Sequence, residues 1–249
     1  MRKFGLIGYP LGHSFSQKYF TEKFLAENIP DCSYENFPLK DITRLIELLK
    51  LEPDLTGLNV TIPHKSEVIR FLDNISPEAE EIGAVNVIKI ARDNKEIILS
   101  GFNSDVYGFT ESILPYFKQS TGNALVLGTG GSSRAVCYAL AKIGMNVTLV
   151  SRKHQPGMIT YSDIDDQLMK NTSLIVNTTP LGMFPDTMSK PELDYNLLGS
   201  RHILYDLVYN PEITAFLNEG KERGCTVIGG LRMLHLQAEK SWEIWNSEL

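Results

Sequence analysis

Short apolar runs alternate along this chain with segments whose apolar residues recur every three or four positions, the alternation that predicts an α/β protein. Residues 3–8 predict a strand, and the segment after Ser16 predicts a helix that buries Phe20, Phe24 and Leu25. A strand at 34–39 follows. Asp41 then stands as N-cap to a helix whose Ile42, Leu45, Ile46 and Leu49 fall at i, i+3, i+4 and i+7, one buried stripe. Residues 55–62 predict a strand ended by Pro63; alternation puts Asn59 and Thr61 on one face and Leu58, Val60 and Ile62 on the other. Lys65 falls where a helix through Val68, Ile69 and Leu72 would begin. Strands at 84–91 and 96–101 flank a polar tetrapeptide and predict a hairpin. A helix at about 106–118 closes this half of the chain.

The polar stretch 118–123 (KQSTGN) predicts a linker, because the pattern restarts after it. A strand at 124–127 runs into GTGGSSR at 128–134, then into a helix carrying Val136, Ala139, Leu140 and Ile143, with Gly144 just past its end. Strands at 146–151, 174–177, 203–207 and 226–228 follow. Asn210 as N-cap, Pro211 at the first helical position and Gly224 past the end predict a helix after Tyr209. A last helix places Leu234, Ala238, Trp242 and Trp245 on one stripe. Two α/β domains result.

Composition narrows the class without naming it. The 249 residues carry 24 Lys+Arg against 30 Asp+Glu, a net charge of −6, which gives no support for nucleic acid or an anionic membrane as partner. With 43% hydrophobic and 22% charged residues the chain is ordinary globular material, long enough to bury a core without staples. No apolar run is long enough to span a membrane, and the N-terminus turns polar by Tyr9-Pro10, too early for a secretory signal. Cys32, Cys137 and Cys225 are widely spaced and odd in number, which predicts reduced thiols in the cytoplasm. The five histidines are scattered without metal-ligand spacing, so no metal is expected.

Candidate chemistry sits in both halves. Strand, GTGG, helix is an arrangement that offers backbone N–H groups and a helix N-terminus to a dinucleotide pyrophosphate; Ser133 at the third-glycine position leaves a plain tight turn as the other reading. An NAD-preferring site offers an acidic residue about 20 residues after the first glycine. Here that strand ends Ser151-Arg152-Lys153, and a planar guanidinium suits a 2′-phosphate, so NADP(H) is expected over NAD(H). The turn at 177–183 (NTTPLGM) lies past the carboxyl end of a strand, where ligands bind in such sheets, and would serve equally as a helix entry. In the first half, Ser14 and Ser16 could cap a helix or bind a polar ligand. Lys65, at a helix start that disfavours a cation, and Asp105 could form a proton relay to a carbonyl oxygen; a solvated lysine is the bland alternative. Asn86 interrupts an apolar run and needs partners, whether structural or ligand.

Eight stretches carry a resemblance: GYPLGHSFSQ (8–17), NVTIPHK (59–65), GAVNVI (83–88), GFNSDVYGF (101–109), GTGGSSRA (128–135), NTTPLGM (177–183), YDLVYNPEIT (205–214) and GGLRMLHLQA (229–238). In this order, and over essentially the whole chain, they resemble the shikimate dehydrogenase family. The resemblance implies an NADP-dependent cytoplasmic oxidoreductase that interconverts 3-dehydroshikimate and shikimate in aromatic amino-acid and chorismate biosynthesis. It implies a substrate-binding catalytic domain at 1–105 with a mostly parallel sheet, completed by a C-terminal helix at 232–249, and a Rossmann NADP-binding domain at 106–231. Lys65 and Asp105 would be catalytic, and Ser14, Ser16, Thr61, Asn86, Tyr209 and Gln237 would bind substrate. Gly128, Thr129, Gly130, Gly131 and Ser132 would hold the pyrophosphate, and Ser151, Arg152 and Lys153 the 2′-phosphate. Leu207 and Gly230 would lie by the nicotinamide. A small-molecule substrate and a monomer or homodimer are implied, with no nucleic acid, membrane or metal.

The chain departs from the family pattern at Ser151 (often Asn), Ser104 (usually Thr), Arg232 (usually Gly) and His235-Leu236. A broader quinate/shikimate dehydrogenase using NAD and a non-catalytic ligand sensor on the same fold are the competing readings. Arg152-Lys153 without an acidic neighbour counts against the first. Retention of both Lys65 and Asp105 counts against the second.

Overall fold

The computed structural model describes residues 1–12, 15–93, 96–117 and 122–248, and divides into two compact units: Met1–Ser104 with Ala238–Leu249, and Asp105–Gln237. In chain order the first unit contains β1 (Arg2–Gly8), α1 (Phe15–Ala26), β2 (Cys32–Pro38), α2 (Leu45–Leu51), β3 (Leu55–Val60), β4 (Asn74–Ile75), α3 (Pro77–Ile82), β5 (Val87–Asp93) and β6 (Glu96–Phe102). The second contains α4 (Asp105–Ile113), β7 (Gly122–Leu127), α5 (Gly131–Lys142), β8 (Met145–Ser151), β9 (Ile159–Thr160), α6 (Asp166–Asn171), β10 (Thr172–Asn177), β11 (Ile203–Asp206), α7 (Ala215–Glu222) and β12 (Thr226–Ile228). The last helix, α8 (Leu231–Asn246), begins in the second unit and ends in the first.

The first sheet runs β2-β1-β3-β5-β6-β4, parallel across β2, β1 and β3 and antiparallel from β3 through β5 to β6. Strand alternation feeds two cores. Ile7, Leu58, Val60, Ile88 and Ile90 join Leu45 and Leu49 of α2, while Phe4, Leu6 and Val87 join Phe20 and Phe24 of α1 and Trp245 of α8. The second cluster is aromatic: Phe20 stacks on Tyr34 at 4.7 Å, and Trp245 lies 4.8 Å from Phe4 and 5.4 Å from Phe20, contacts of about 0.5–1.5 kcal/mol each beyond area burial. They fasten the end of the chain to this unit, and the Trp245 indole N–H donates to the Ile88 carbonyl at 3.0 Å.

The second sheet is wholly parallel, in the order β12-β11-β10-β7-β8-β9. Counted from β7 as strand one, this is the doubly wound order 3-2-1-4-5-6 of the Rossmann fold. Its central strands β7, β10 and β11 are buried on both faces, as parallel strands are.

Several local expectations need correction. Leu25 is exposed, because α1 packs through Tyr19, Phe20 and Phe24. Asp41 caps a 3₁₀ turn at Ile42–Arg44, accepting from Thr43 N at 2.8 Å, before α2 begins at Leu45. That tighter turn shifts the helical phase, so Ile46 faces solvent while Ile42, Leu45 and Leu49 are buried. β3 ends at Val60, and Ile62 beyond it is exposed. The helix expected at 106–118 is α4, ending at Ile113, followed by a 3₁₀ turn at Leu114–Tyr116. The helix expected directly after Tyr209 starts at Ala215 instead. Thr214 is its N-cap, accepting from Leu217 N at 3.3 Å, because residues 209–214 form a loop anchored by a bond from Thr214 to Asp206. Within α8, Ala238 and Trp245 are buried while Leu234 and Trp242 are only half-buried. The hairpin tip at 94–95 and residues 118–121 of the expected linker lie outside the described residues.

Candidate active site

In the first unit the polar candidates collect at one end of the sheet. Thr61 follows β3, and its N–H donates to the Ile7 carbonyl of β1 at 2.9 Å. The chain then turns through 62–66, where the Lys65 carbonyl accepts from Val85 N at 2.7 Å, which brings the lysine beside the entry to β5 and Asn86. Lys65 does not open an α-helix: this turn leads only into a 3₁₀ segment at Glu67–Phe71. The helix-dipole argument for Lys65 therefore lapses, and its candidacy rests on its place beside Thr61 and Asn86.

Behind these residues lies a buried polar network that the sequence reading did not assemble. The Tyr34 hydroxyl donates to Asn59 Oδ1 at 2.8 Å and is also bonded to the Ser16 side chain. Asn59 Nδ2 donates to Ser241 Oγ of α8 at 2.9 Å and to the Asn86 carbonyl at 3.3 Å; that carbonyl can only accept, which fixes the orientation of the Asn59 amide. Ser241 Oγ lies 3.1 Å from Ser104 Oγ. Ser104 accepts from Asn86 Nδ2 at 3.0 Å, and its own N–H donates to Asn86 Oδ1 at 2.7 Å. Asn86 thus has both ends of its amide held, and burial pushes the Tyr34 phenol above its ordinary range. Ser16, Thr61, Lys65 and Asn86 belong to one unit, and Ser16 is tied to Asn86 through Tyr34 and Asn59. Ser14 lies outside the described residues.

The signals for these missed partners were present but short. Asn59 sits between Leu58 and Val60 as Asn86 sits between Val85 and Val87, a polar amide inside an apolar run. Ser241 follows Gln237 by one helical turn on the buried face of α8.

In the second unit the glycine-rich turn lies where the strand order reverses, between β7 and β10. Gly128 has φ +112°, and a Cβ there would stand 2.7 Å from Thr178 Oγ1, so only glycine lets the turn lie this close to the end of β10. Thr178 Oγ1 donates to the Leu127 carbonyl at 2.6 Å, closing the seam. Thr129 follows, Gly130 is the N-cap of α5, and Gly131 and Ser132 form its first turn. Ser133, at the third-glycine position, is buried with its hydroxyl donating to the Gly130 carbonyl at 2.6 Å, so the serine closes the turn. At the end of β8, Ser151 Oγ accepts from Lys153 N at 3.2 Å, and Arg152 and Lys153 are exposed. The cradle, the helix start and the two exposed cations fit a phosphorylated dinucleotide.

The second unit also holds the remaining candidates. Leu207 follows β11, its N–H donating to the Asn177 carbonyl at 3.0 Å, and Gly230 N donates to the Val208 carbonyl at 3.2 Å. Tyr209 is half-buried on the loop between them. Asp105 is buried as the first residue of α4. Gln237, also buried, lies on α8 with Nε2 donating to the Leu234 carbonyl at 2.9 Å. Among the described residues no group of acidic, His or Cys side chains could hold a metal ion, and no helix is long and apolar enough to cross a membrane.

A doubly wound sheet with a glycine cradle at its switch point and cations at the end of its second strand defines a dinucleotide-binding α/β protein of the Rossmann class. Comparison with known proteins makes this specific. Residues 6–88 match the family model described as the shikimate dehydrogenase substrate binding domain. The chain is 38% identical to the shikimate dehydrogenase (NADP(+)) of Methanococcus aeolicus, an alignment covering 97% of this chain and 90% of that protein. Shikimate dehydrogenase 1 of Peptoclostridium difficile superposes with a TM-score of 0.84 at 36% identity, covering 100% of this chain and 93% of that one. The shikimate 5-dehydrogenase of Thermus thermophilus, solved with NADP(H) and shikimate, superposes with a TM-score of 0.86 at 31% identity, covering 100% and 95%. The chain belongs to the shikimate dehydrogenase family.

Proposed function

We propose that this protein catalyses the reversible NADPH-dependent reduction of 3-dehydroshikimate to shikimate, a step of chorismate and aromatic amino-acid biosynthesis. The observation that carries the reading is family membership along nearly the whole chain, joined to a dinucleotide cradle whose second strand ends in Arg152-Lys153. The first unit, with the end of α8, is the substrate domain, and the second binds NADP(H). When bound, NADPH supplies the hydride for the ketone carbon. Lys65 donates the proton to the reacting oxygen as that carbon is reduced, Asp105 holds the lysine, and water returns the proton to the amine. Ser14, Ser16, Thr61, Asn86, Tyr209 and Gln237 bind the carboxylate and hydroxyls of the substrate. Gly128, Thr129, Gly130, Gly131 and Ser132 hold the pyrophosphate; Ser151, Arg152 and Lys153 hold the 2′-phosphate; Leu207 and Gly230 flank the nicotinamide. The setting is the cytoplasm, in keeping with three free thiols, and the active species is a monomer or homodimer.

The test follows reduced-cofactor absorbance with purified protein, pairing shikimate and quinate each with NADP and NAD. Fast turnover confined to shikimate with NADP is the expected result. Turnover of quinate, or comparable rates with NAD, would assign the protein to the broader-specificity relatives. Shikimate binding without turnover in any pairing would make it a sensor.

A further inference from the structure

The second unit buries a carboxylate for which the proposed reaction has no use. Asp206 ends β11 and is fully buried. Its Oδ1 accepts from Val208 N and Asn177 Nδ2, both at 3.0 Å, and its Oδ2 accepts from Thr214 Oγ1 at 2.6 Å. Buried carboxylates are ordinarily paired with a cation. The partners of Asp206 among the described residues are instead two amides and a hydroxyl, which satisfy its lone pairs without cancelling its charge. Among the described residues the phenols of Tyr195 and Tyr205 feel this charge; burial pushes both above their ordinary range, so they stay neutral throughout the pH range of interest.

The position of this charge matters more than its burial. Asp206 directly precedes Leu207, and Gly230 closes over the backbone of both. A Cβ on Gly230 would lie 2.3 Å from the Leu207 carbonyl oxygen and 3.0 Å from that of Asp206. Leu207 and Gly230 are the residues read above as flanking the nicotinamide. That ring carries a positive charge when oxidised and none when reduced. A fixed negative charge in a poorly screened setting acts on the first form and not on the second.

We propose that the ionised Asp206 side chain sets the redox preference of the dinucleotide site, favouring the oxidised nicotinamide over the reduced one through its uncancelled charge. This inference rests on the reading of Leu207 and Gly230 as nicotinamide neighbours. Asp206 acts through its field and through the loop it holds, so it is a tuning and positioning residue. Burial pushes its carboxyl up to about 6 against the three bonds that favour the anion. By linkage, a proton on Asp206 and the oxidised ring oppose each other, so affinity for NADP+ falls as pH falls through this range while affinity for NADPH does not. Titration of the 2′-phosphate is common to both ligands and cancels in their ratio.

The experiment measures Kd for NADP+ and for NADPH by calorimetry between pH 5.5 and 8, in the unmodified protein and in Asp206→Asn. The asparagine keeps the size and one acceptor oxygen of the aspartate, and the Thr214 hydroxyl can turn to accept from its amide. At pH 8 the substitution should raise the ratio Kd(NADP+)/Kd(NADPH) at least about threefold. In the unmodified protein the ratio should rise as pH falls, and in the variant it should stay flat. A purely structural role would weaken both ligands alike and leave the ratio unmoved; a ratio constant within about twofold across both series, with both dinucleotides bound, overturns the proposal. If the variant fails to fold, the pH series on the unmodified protein decides alone. Failure of both dinucleotides to bind the unmodified protein would overturn the cofactor reading and this inference together, whereas an unmoved ratio leaves the cofactor reading standing.

Discussion

The two units secure their buried polar groups in opposite ways. In the first, Tyr34, Asn59, Ser241, Ser104 and Asn86 form a chain of neutral donors and acceptors that joins strand ends, a connecting turn and the last helix. In the second, the carboxylate of Asp206 gathers donors from Asn177, Val208 and Thr214. The neutral chain rigidifies the wall behind the proposed substrate-binding groups, and no charge is buried to do so. The carboxylate does the same for a set of loops but leaves a charge, which on the proposal above acts on a ligand whose own charge changes in the reaction. One device specifies shape and the other electrostatics.

The widest break between the two regions should come from Lys65→Ala. It removes the proposed proton donor and leaves the dinucleotide cradle intact, so kcat should fall by about 10²–10⁴-fold while NADPH affinity is unchanged. Steady-state kinetics with shikimate, paired with a direct NADPH titration, separates the two. If kcat survives and only KM for substrate rises, Lys65 is a binding group and the proton comes from elsewhere.

The charged network should answer to pH where the neutral one does not. Burial raises the folded-state pKa of Asp206 to about 6, above the ordinary aspartate value of 3.8. Its proton therefore stabilises the fold fully below about 3.8, and that contribution is lost as pH rises through about 6. The loss is of order 3 kcal/mol by neutral pH. Urea unfolding at several pH values should show this component in the unmodified protein and lack it in Asp206→Asn. Identical slopes in the two proteins would mean that Asp206 titrates as an ordinary carboxylate and that the contrast between the units is only one of layout.

The same contrast explains what could be read from sequence. The dinucleotide cradle was legible because its parts are contiguous: strand, GTGG and helix occupy 122–142, and the cations follow one strand later. The longer strands of both sheets were legible from runs of β-branched and aliphatic residues between polar turns, whereas the two-residue edge strands β4 and β9 were too short to show a pattern. The neutral network was not, because Asn59 and Ser241 stand 182 positions apart, and no local pattern announces a pairing set by how α8 lies on a sheet. Asp206 could have been flagged by the rule that singled out Asn86, a polar group inside an apolar run, here ILYDLV. Where helix starts were misplaced, tertiary bonds overrode local signals: Asn210-Pro211 reads as a helix entry, but the bond from Thr214 to Asp206 moves the start to Ala215.

Ser241→Ala should give the smallest effect and the sharpest comparison. The hydroxyl accepts from Asn59 and pairs with Ser104, yet Asn59 Nδ2 retains the Asn86 carbonyl at 3.3 Å and Ser104 retains Asn86 at 3.0 Å. Neither of these two partners is left wholly unsatisfied, so the cost should be about 1 kcal/mol, a few degrees in the melting of the first unit. Because Asn86 is held through Ser104, the loss should also appear as a modest rise in KM for shikimate. NADPH affinity should not move. A drop in NADPH affinity equal to the loss in KM would show that the two networks behave as one, and the division between a shape-setting unit and a charge-setting unit would have to be given up.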